Sequence, residues 1–270
     1  MKYLKMFESF NEDDIHAICK KYKIENYTIN RDGSIDVDGD VNLYAKGLDF
    51  MPLNFNIVNG YFNCSHNYLT SLLGCPNEIN GDFYCYNNNL NSLKYCAKKI
   101  KGDFVCSSNE LTSLDNFNSE VDRGIYLYYN QLTSLKGCPK KINDRFDCSN
   151  NRLTSLDGCP EIINGDFNCS YNKLTSFEYC PKEINGDIIC SFNNIITFDY
   201  LPFSIGGDFY CHDNLISNIW ELFGDYSKID LFNDCDPIRE PDIIILDRLN
   251  FFLEKIGKDP VNEVEGYKCI

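Results

Sequence analysis

Residues 165–185 read GDFNCSYNKLTSFEYCPKEIN, and the next 21, residues 186–206, read GDIICSFNNIITFDYLPFSIG. Working outward from this pair, the block recurs at 60–80, 81–101, 102–122, 123–143 and 144–164. A degenerate copy, GDVNLYAKGLDFMPLNFNIVN, precedes them at 39–59, and a last copy opens at Gly207 and decays after Leu222. The register holds through nine copies, numbered here as coils 1 to 9 from residue 39. A fixed period of this length marks a stacked repeat architecture, in which one unit cannot bury its hydrophobic face alone.

Six columns of the repeat are apolar. Position 3 runs Phe62, Phe83, Phe104, Ile125, Phe146, Phe167, Ile188, Phe209, and position 5 runs Cys64, Cys85, Cys106, Leu127, Cys148, Cys169, Cys190, Cys211. Position 10 is Leu or Ile throughout; position 13 is Met51, then Leu, Phe or Ile; position 16 holds Cys75, Cys96, Phe117, Cys138, Cys159, Cys180 and Leu201; position 20 is Ile or Val from Ile79 to Ile205. Alternation at 3 and 5 predicts a short strand with those side chains inward and positions 2, 4 and 6 outward. Gly at position 1 supplies a turn, and Pro at position 17 in five copies excludes a helix from the return. Each copy is expected to be one coil of strand, turn and extended return. Stacked at a strand spacing of about 4.8 Å, nine coils would extend about 40 Å.

The run F-x-C-S-x-N-x-L-T-S-L resembles the L-x-L-x-x-N-x-L segment of leucine-rich repeats, with Cys in an inward Leu slot. The resemblance covers about 39–222 and implies a leucine-rich-repeat solenoid: β-rich right-handed coils, a parallel strand face, and helical caps at both ends. Its 21-residue period and Pro-containing returns resemble the short bacterial and viral repeats that lack convex helices. The flanking stretches ENYTINRDGSIDVDGDV, NIWELFGDY and EGYKCI resemble repeat proteins of tailed bacteriophages. That resemblance implies a phage origin and brings no activity with it.

Two columns look like chemistry and read better as structure. Position 8 is Asn in eight consecutive coils, Asn67 to Asn214. An inward amide can serve backbone groups of its own and a neighbouring coil. Twelve of the fifteen cysteines sit at positions 5 and 16, leaving Cys19, Cys235 and Cys269 outside, and there is no CxxC pair or Cys/His zinc spacing. They read as small core hydrophobes that react only after unfolding. Asp at position 2 (Asp82, Asp103, Asp166, Asp187, Asp208) is read as closing its own Asn-Gly-Asp turn onto a nearby amide. A row of carboxylates holding a cation is the alternative.

The outward positions vary instead of repeating, and they are aromatic. Tyr84, Tyr86, Tyr126, Tyr128 and Tyr129 are expected to form the centre of a binding patch on the strand face, with Tyr171, Tyr210 and His212 extending it. Tyrosine brings contact area, a hydroxyl and little entropy loss to an interface. Cross-strand stacking that merely stabilises the sheet is the competing reading.

The ends complete the domain plan: 1–38 as an N-terminal cap, 39–222 as repeats, 223–270 as a helical C-terminal cap. NEDDIHAICKKY (11–22) reads as a helix capped by Asn11, and NYTIN-RDG-SIDVD as a hairpin. EPDIIILDRLNFFLEKIG (240–257) reads as a helix with Pro241 in its first turn and Gly257 at its end. MKYLKMFESF places Leu4, Phe7 and Phe10 on one helical face and resembles phage capsid-targeting sequences; a docked terminus is the simpler expectation.

Charge and composition narrow the function. The formal charge is −15, with acids exceeding bases 8 to 6 over 1–38, 21 to 13 over 39–222 and 11 to 6 over 223–270. No basic cluster exists for a phosphate backbone, so nucleic acid is not an expected partner. No stretch approaches the length of a membrane span and the start lacks a signal-like apolar core, which leaves a cytoplasmic location, the host's if the chain is viral. With three histidines, no glycine-rich phosphate loop and no plausible triad, catalysis is not expected, and neither a cofactor nor a metal is required. A ubiquitin-ligase effector would need a catalytic domain with a C-x-D cysteine; only Cys235 in NDCDP comes near. The expectation is a non-catalytic scaffold binding a protein with a basic surface, with a structural or packaged virion component as the alternative.

Overall fold

The computed structural model describes residues 10–240 and 243–270. Strands only two residues long form at positions 3–4 of every coil, from Val41–Asn42 to Phe209–Tyr210, and pair in parallel as one nine-stranded sheet. The pairing register is one full repeat: Phe62 opposes Phe83, Phe83 opposes Phe104, Phe146 opposes Phe167. The whole position 3 column is thereby stacked. Phe62, Phe83, Phe104, Phe146 and Phe167 are fully buried, as are the thiols of Cys64, Cys85, Cys106, Cys148, Cys169 and Cys190.

A second parallel ladder runs along positions 19–20, where the sequence suggested only an extended return. Glu78–Ile79, Lys99–Ile100 and Glu120–Val121 pair in series, as do Lys141–Ile142, Ile162–Ile163, Glu183–Ile184 and Ser204–Ile205. The ladder is interrupted between Val121 and Lys141, where Asn143 Nδ2 donates to Asp122 O at 3.3 Å across the gap. The interruption falls where coil 4 has Phe117-Asn118 in place of Cys-Pro and coil 5 opens with Arg123 in place of Gly. The result is a β-rich, solenoid-like stack of coils with parallel sheets on two sides of one continuous core.

The asparagine column ties each coil to the one before it. Asn109 Nδ2 donates to the carbonyls of Cys106 in its own coil and Cys85 in the preceding coil, and its Oδ1 accepts from Leu90 N, also in the preceding coil, at 3.0 Å. The same three-way bonding recurs for Asn88, Asn130, Asn151, Asn172, Asn193 and Asn214. Because the amide serves the preceding coil, coil 1 has no use for one, and Lys46 occupies that place.

The aspartates of position 2 do not close their own turns as expected. Oδ1 of Asp82 accepts from Asp103 N, Asp103 from Gly124 N, Asp166 from Asp187 N, and Asp187 from Asp208 N, all in the next coil at 2.8–3.0 Å. Glycine at position 1 of the following coil makes room for that carboxylate. A Cβ on Gly102 would lie 2.1 Å from Asp82 Oδ1 and 2.6 Å from Asp82 N.

Both ends are closed. The first helix, Glu12–Tyr22, is capped by Asn11 as expected, and Asp14 accepts a hydrogen bond from the Asn11 backbone to complete a capping box. The hairpin Tyr27–Ile29/Ile35–Val37 forms, and its second strand pairs with Phe55–Val58 to cap the second ladder. The chain leaves the coil path at Ser217 for a helix, Ser217–Phe223, earlier than position 16 of coil 9. Helix Ile229–Cys235 follows, and Phe198, Phe223, Phe232 and Phe252 interlock with ring centroids 5.2–5.7 Å apart, carrying the core into the cap. The last helix is Leu246–Lys255, shorter than the expected 240–257. Ile243–Ile244 instead form a strand between Ile238–Glu240 and Lys268–Cys269, so the C-terminal cap is a mixture of helix and sheet. Pro241 and the segment MKYLKMFES, including Leu4 and Phe7, lie outside the described residues. Among the described residues no helix is long and apolar enough to cross a membrane.

Candidate functional site

The outer side of the strand sheet is built from positions 4, 6 and 7, and its backbone is constant. Position 7 is left-handed in all nine coils, with φ between 52° and 58° at Ala45, His66, Asn87, Ser108, Tyr129, Asn150, Tyr171, Phe192 and Asp213. Asn and Asp tolerate this conformation, whereas a bulky ring there is an outlier that costs free energy. His66, Tyr129, Tyr171 and Phe192 are all exposed, Tyr129 by 60%. Nothing in the coil geometry asks for a ring at this corner.

Positions 4 and 6 follow two arrangements in six of the nine coils. In coils 2, 6 and 7 position 4 is Asn63, Asp147 or Asn168, and its Oδ1 accepts from both the backbone N and the Oγ of Ser65, Ser149 or Ser170. These serines are buried, as are Ser107 and Ser191 in coils without the clasp, so position 6 is not simply outward as the alternation suggested; a short side chain there is enclosed with or without the clasp. In coils 3, 5 and 9 the clasp is replaced by aromatic pairs: Tyr84 with Tyr86, Tyr126 with Tyr128, and Tyr210 with His212. Coil 4, with Val105, Ser107 and Ser108, has neither.

The rings of the sequence-expected patch touch one another in separate groups. Tyr84 and Tyr86 belong to an aromatic chain on the N-terminal side. Tyr44 and His66 approach to 4.8 Å, His66 and Tyr86 to 5.2 Å, Tyr86 and Tyr84 to 6.5 Å, and Tyr84 and Tyr61 to 6.4 Å. Tyr128 and Tyr129 pack edge to face at 5.9 Å two coils further on, beyond the low step of coil 4. Tyr171 lies stacked on Phe192 at 4.2 Å, and Tyr210 lies 6.5 Å from His212. Sequence reasoning missed Tyr44 and Tyr61 as members and left His66 and Phe192 out of the set. Reading position 7 together with position 6 of the next coil would have joined His66 to Tyr86.

The chemistry offered is neutral and hydrogen-bonding. Tyr84 donates its hydroxyl to Asp82 Oδ2 at 2.7 Å, and burial, then that bond, holds its ionisation well above the usual tyrosine range. Burial, and then Asp103 and Asp144, raise Tyr126. The hydrogen bond to Asp208 raises Tyr210. Tyr84, Tyr126 and Tyr210 are thus uncharged rings beside carboxylates. Arg123 lies between Asp103 and Asp144, and Arg145 Nη2 reaches the buried Asp147 at 2.9 Å. Among the described residues no group of three or more His, Cys, Asp or Glu side chains is arranged to hold a metal ion.

Compared with protein-family models, curated proteins and solved structures, the chain matches none.

Proposed function

We propose that the chain is a non-catalytic binding scaffold of the leucine-rich-repeat type, whose strand-side aromatics recognise a protein partner with a basic surface. One observation carries the reading. Tyr84/Tyr86, Tyr126/Tyr128 and Tyr129 stand where sibling coils satisfy the same backbone with an Asn/Asp–Ser clasp and an Asn, so the rings add nothing that the coil requires. A fixed interior beneath a variable, aromatic exterior is how repeat scaffolds present recognition surfaces. The carboxylate rim and the net charge of −15 favour a basic partner and would speed its association at low salt. The resemblance to phage repeat proteins favours a partner from a bacterial host or from the phage itself.

The test is retention of proteins from bacterial lysate by the immobilised chain, beside a bait carrying Tyr84→Asn, Tyr86→Ser, Tyr126→Asn, Tyr128→Ser and Tyr129→Asn. A protein held by the first bait and lost from the second, released at high salt, supports the reading. Identical retention by both baits contradicts it.

A further inference from the structure

A second left-handed column lies at position 15, eight residues after the first. Its occupants are Gly74, Tyr95, Asn116, Gly137, Gly158, Tyr179 and Tyr200, all with φ between 65° and 100°. Glycine in three coils shows what the turn asks for. Tyrosine in three others is the costly choice, and each ring is exposed, Tyr200 by 68%. Position 15 was not among the aromatic positions singled out from the sequence, although a Gly column interrupted by Tyr is readable there.

Tyr179 and Tyr200 occupy consecutive coils beside the C-terminal cap. With Phe203, 89% exposed, and Tyr226 they line a groove of about 590 Å³ between the coil returns and the segment 226–233. Tyr226 is fixed there by its hydroxyl, which donates to Pro202 O.

Charge identifies the occupant. In coil 3 the residue before the left-handed tyrosine is Lys94, and its Nζ sits 4.9 Å from the Tyr95 ring centroid. The corner thus presents a ring face that a cation can cover, and coil 3 supplies its own. In coils 7 and 8 the preceding residues are Glu178 and Asp199, so the two rings carry a neighbouring carboxylate where coil 3 carries a cation. The lysines nearby are already engaged: Lys182 with Glu161 at 3.3 Å, Lys228 with Asp225 at 3.8 Å, and Lys136 with Asp157 at 2.8 Å. Asp230 lines the groove with the already paired Lys182, and Asp199, next to Tyr200 in the chain, lines the adjoining depression. Neither of these two carboxylates makes an ion pair or side-chain hydrogen bond among the described residues.

We propose that this groove docks an extended peptide segment bearing arginine or lysine, its cations lying over the Tyr179 and Tyr200 rings and drawn by Asp230 in the groove and by Asp199 beside Tyr200 on its rim. Aromatic faces backed by carboxylates are a favourable setting for such cations, arginine above all. The site is separate from the strand-side tyrosines at positions 4, 6 and 7, and its failure would leave the proposal made for them intact.

The test is a fluorescence-anisotropy titration of the full chain with labelled nona-arginine peptide at moderate salt. The wild type should bind. Tyr179→Gly/Tyr200→Gly should weaken binding at least tenfold while leaving the urea midpoint unchanged or higher, since glycine is the residue sibling coils use. Asp199→Asn/Asp230→Asn should weaken it severalfold without touching the turn, and Tyr95→Gly should leave it unchanged. Wild-type affinity in both double variants would mean general attraction to an acidic surface and overturn the proposal. So would absence of binding by the wild type, or equal binding of an uncharged oligoproline peptide.

Discussion

Positions 7 and 8 are neighbours in the chain and opposites in what they demand. At position 8 the side chain is turned inward and must both donate and accept, so eight consecutive coils carry Asn. At position 7 the backbone is equally constrained, yet the side chain points away from the core and Ala, His, Asn, Ser, Tyr, Phe and Asp all appear. A constrained backbone with an unconstrained side chain means the fold is indifferent to what stands there. Where that side chain is a large ring in an unfavourable conformation, the proposed reason is recognition of a partner.

Alkaline pH should expose the interior's side of this contrast most strongly. Burial pushes the thiols of Cys169 and Cys211 up to about 12 and holds those of Cys148 and Cys190 well above the usual thiol range. An unfolded thiol ionises near 8.5–9, so above that pH the unfolded chain releases protons that the folded chain retains. Stability is therefore full below about pH 8 and falls as pH rises through the unfolded thiol range. At pH 10 each such thiol costs about 1.4 kcal/mol, and the four together about 5–6 kcal/mol. Urea midpoints under reducing conditions at pH 7.5, 9 and 10 check this; a flat profile would mean that the thiols are not enclosed.

Asn109→Ala should cost on the order of 1–3 kcal/mol, because the carbonyls of Cys85 and Cys106 and the amide of Leu90 lose a buried partner together. Gly102→Ala should cost a similar ~1–3 kcal/mol through overpacking against Asp82. Chemical denaturation at neutral pH reads both, and a loss near zero for Asn109→Ala would break the contrast with position 7. Thiol labelling sharpens the boundary between inside and outside. Ten of the fifteen cysteines are buried, while Cys96, Cys138, Cys180, Cys235 and Cys269 are partly exposed. Burial nonetheless holds the position 16 thiols of Cys96, Cys138 and Cys180 far above the usual thiol range. In the native protein they should therefore label more slowly than Cys235, and faster than the position 5 thiols only by virtue of their partial exposure. Labelling of the position 5 thiols at the same rate would contradict the core described here.

What the sequence disclosed follows from the same division. Inward columns were legible because packing repeats identically in each coil, so Phe62 to Phe209 and Asn67 to Asn214 align without structure. The second ladder was not, because a strand of two residues with a single inward Ile leaves no alternation to read. The start of the last helix was misplaced because Ile243-Ile244-Ile245 is a short apolar run that suits strand or helix, and pairing with Lys268–Cys269 decided it. The Asp82–Asp103 type of bridge escaped because its acceptor and donor lie 21 residues apart. The tyrosines were visible as types; which of them touch was not, since contact depends on the left-handed corner that redirects position 7.

The most direct test is to give coils 3 and 5 the outer residues that their siblings carry, with Tyr84→Asn, Tyr86→Ser, Tyr126→Asn, Tyr128→Ser and Tyr129→Asn in one chain, and to measure its urea unfolding. If the outer rings serve recognition and not the fold, unfolding stays cooperative and stability stays within about 1 kcal/mol of the wild type, the new clasps and the relieved corner offsetting the lost ring contacts. A loss of several kcal/mol would show that the rings hold the sheet together.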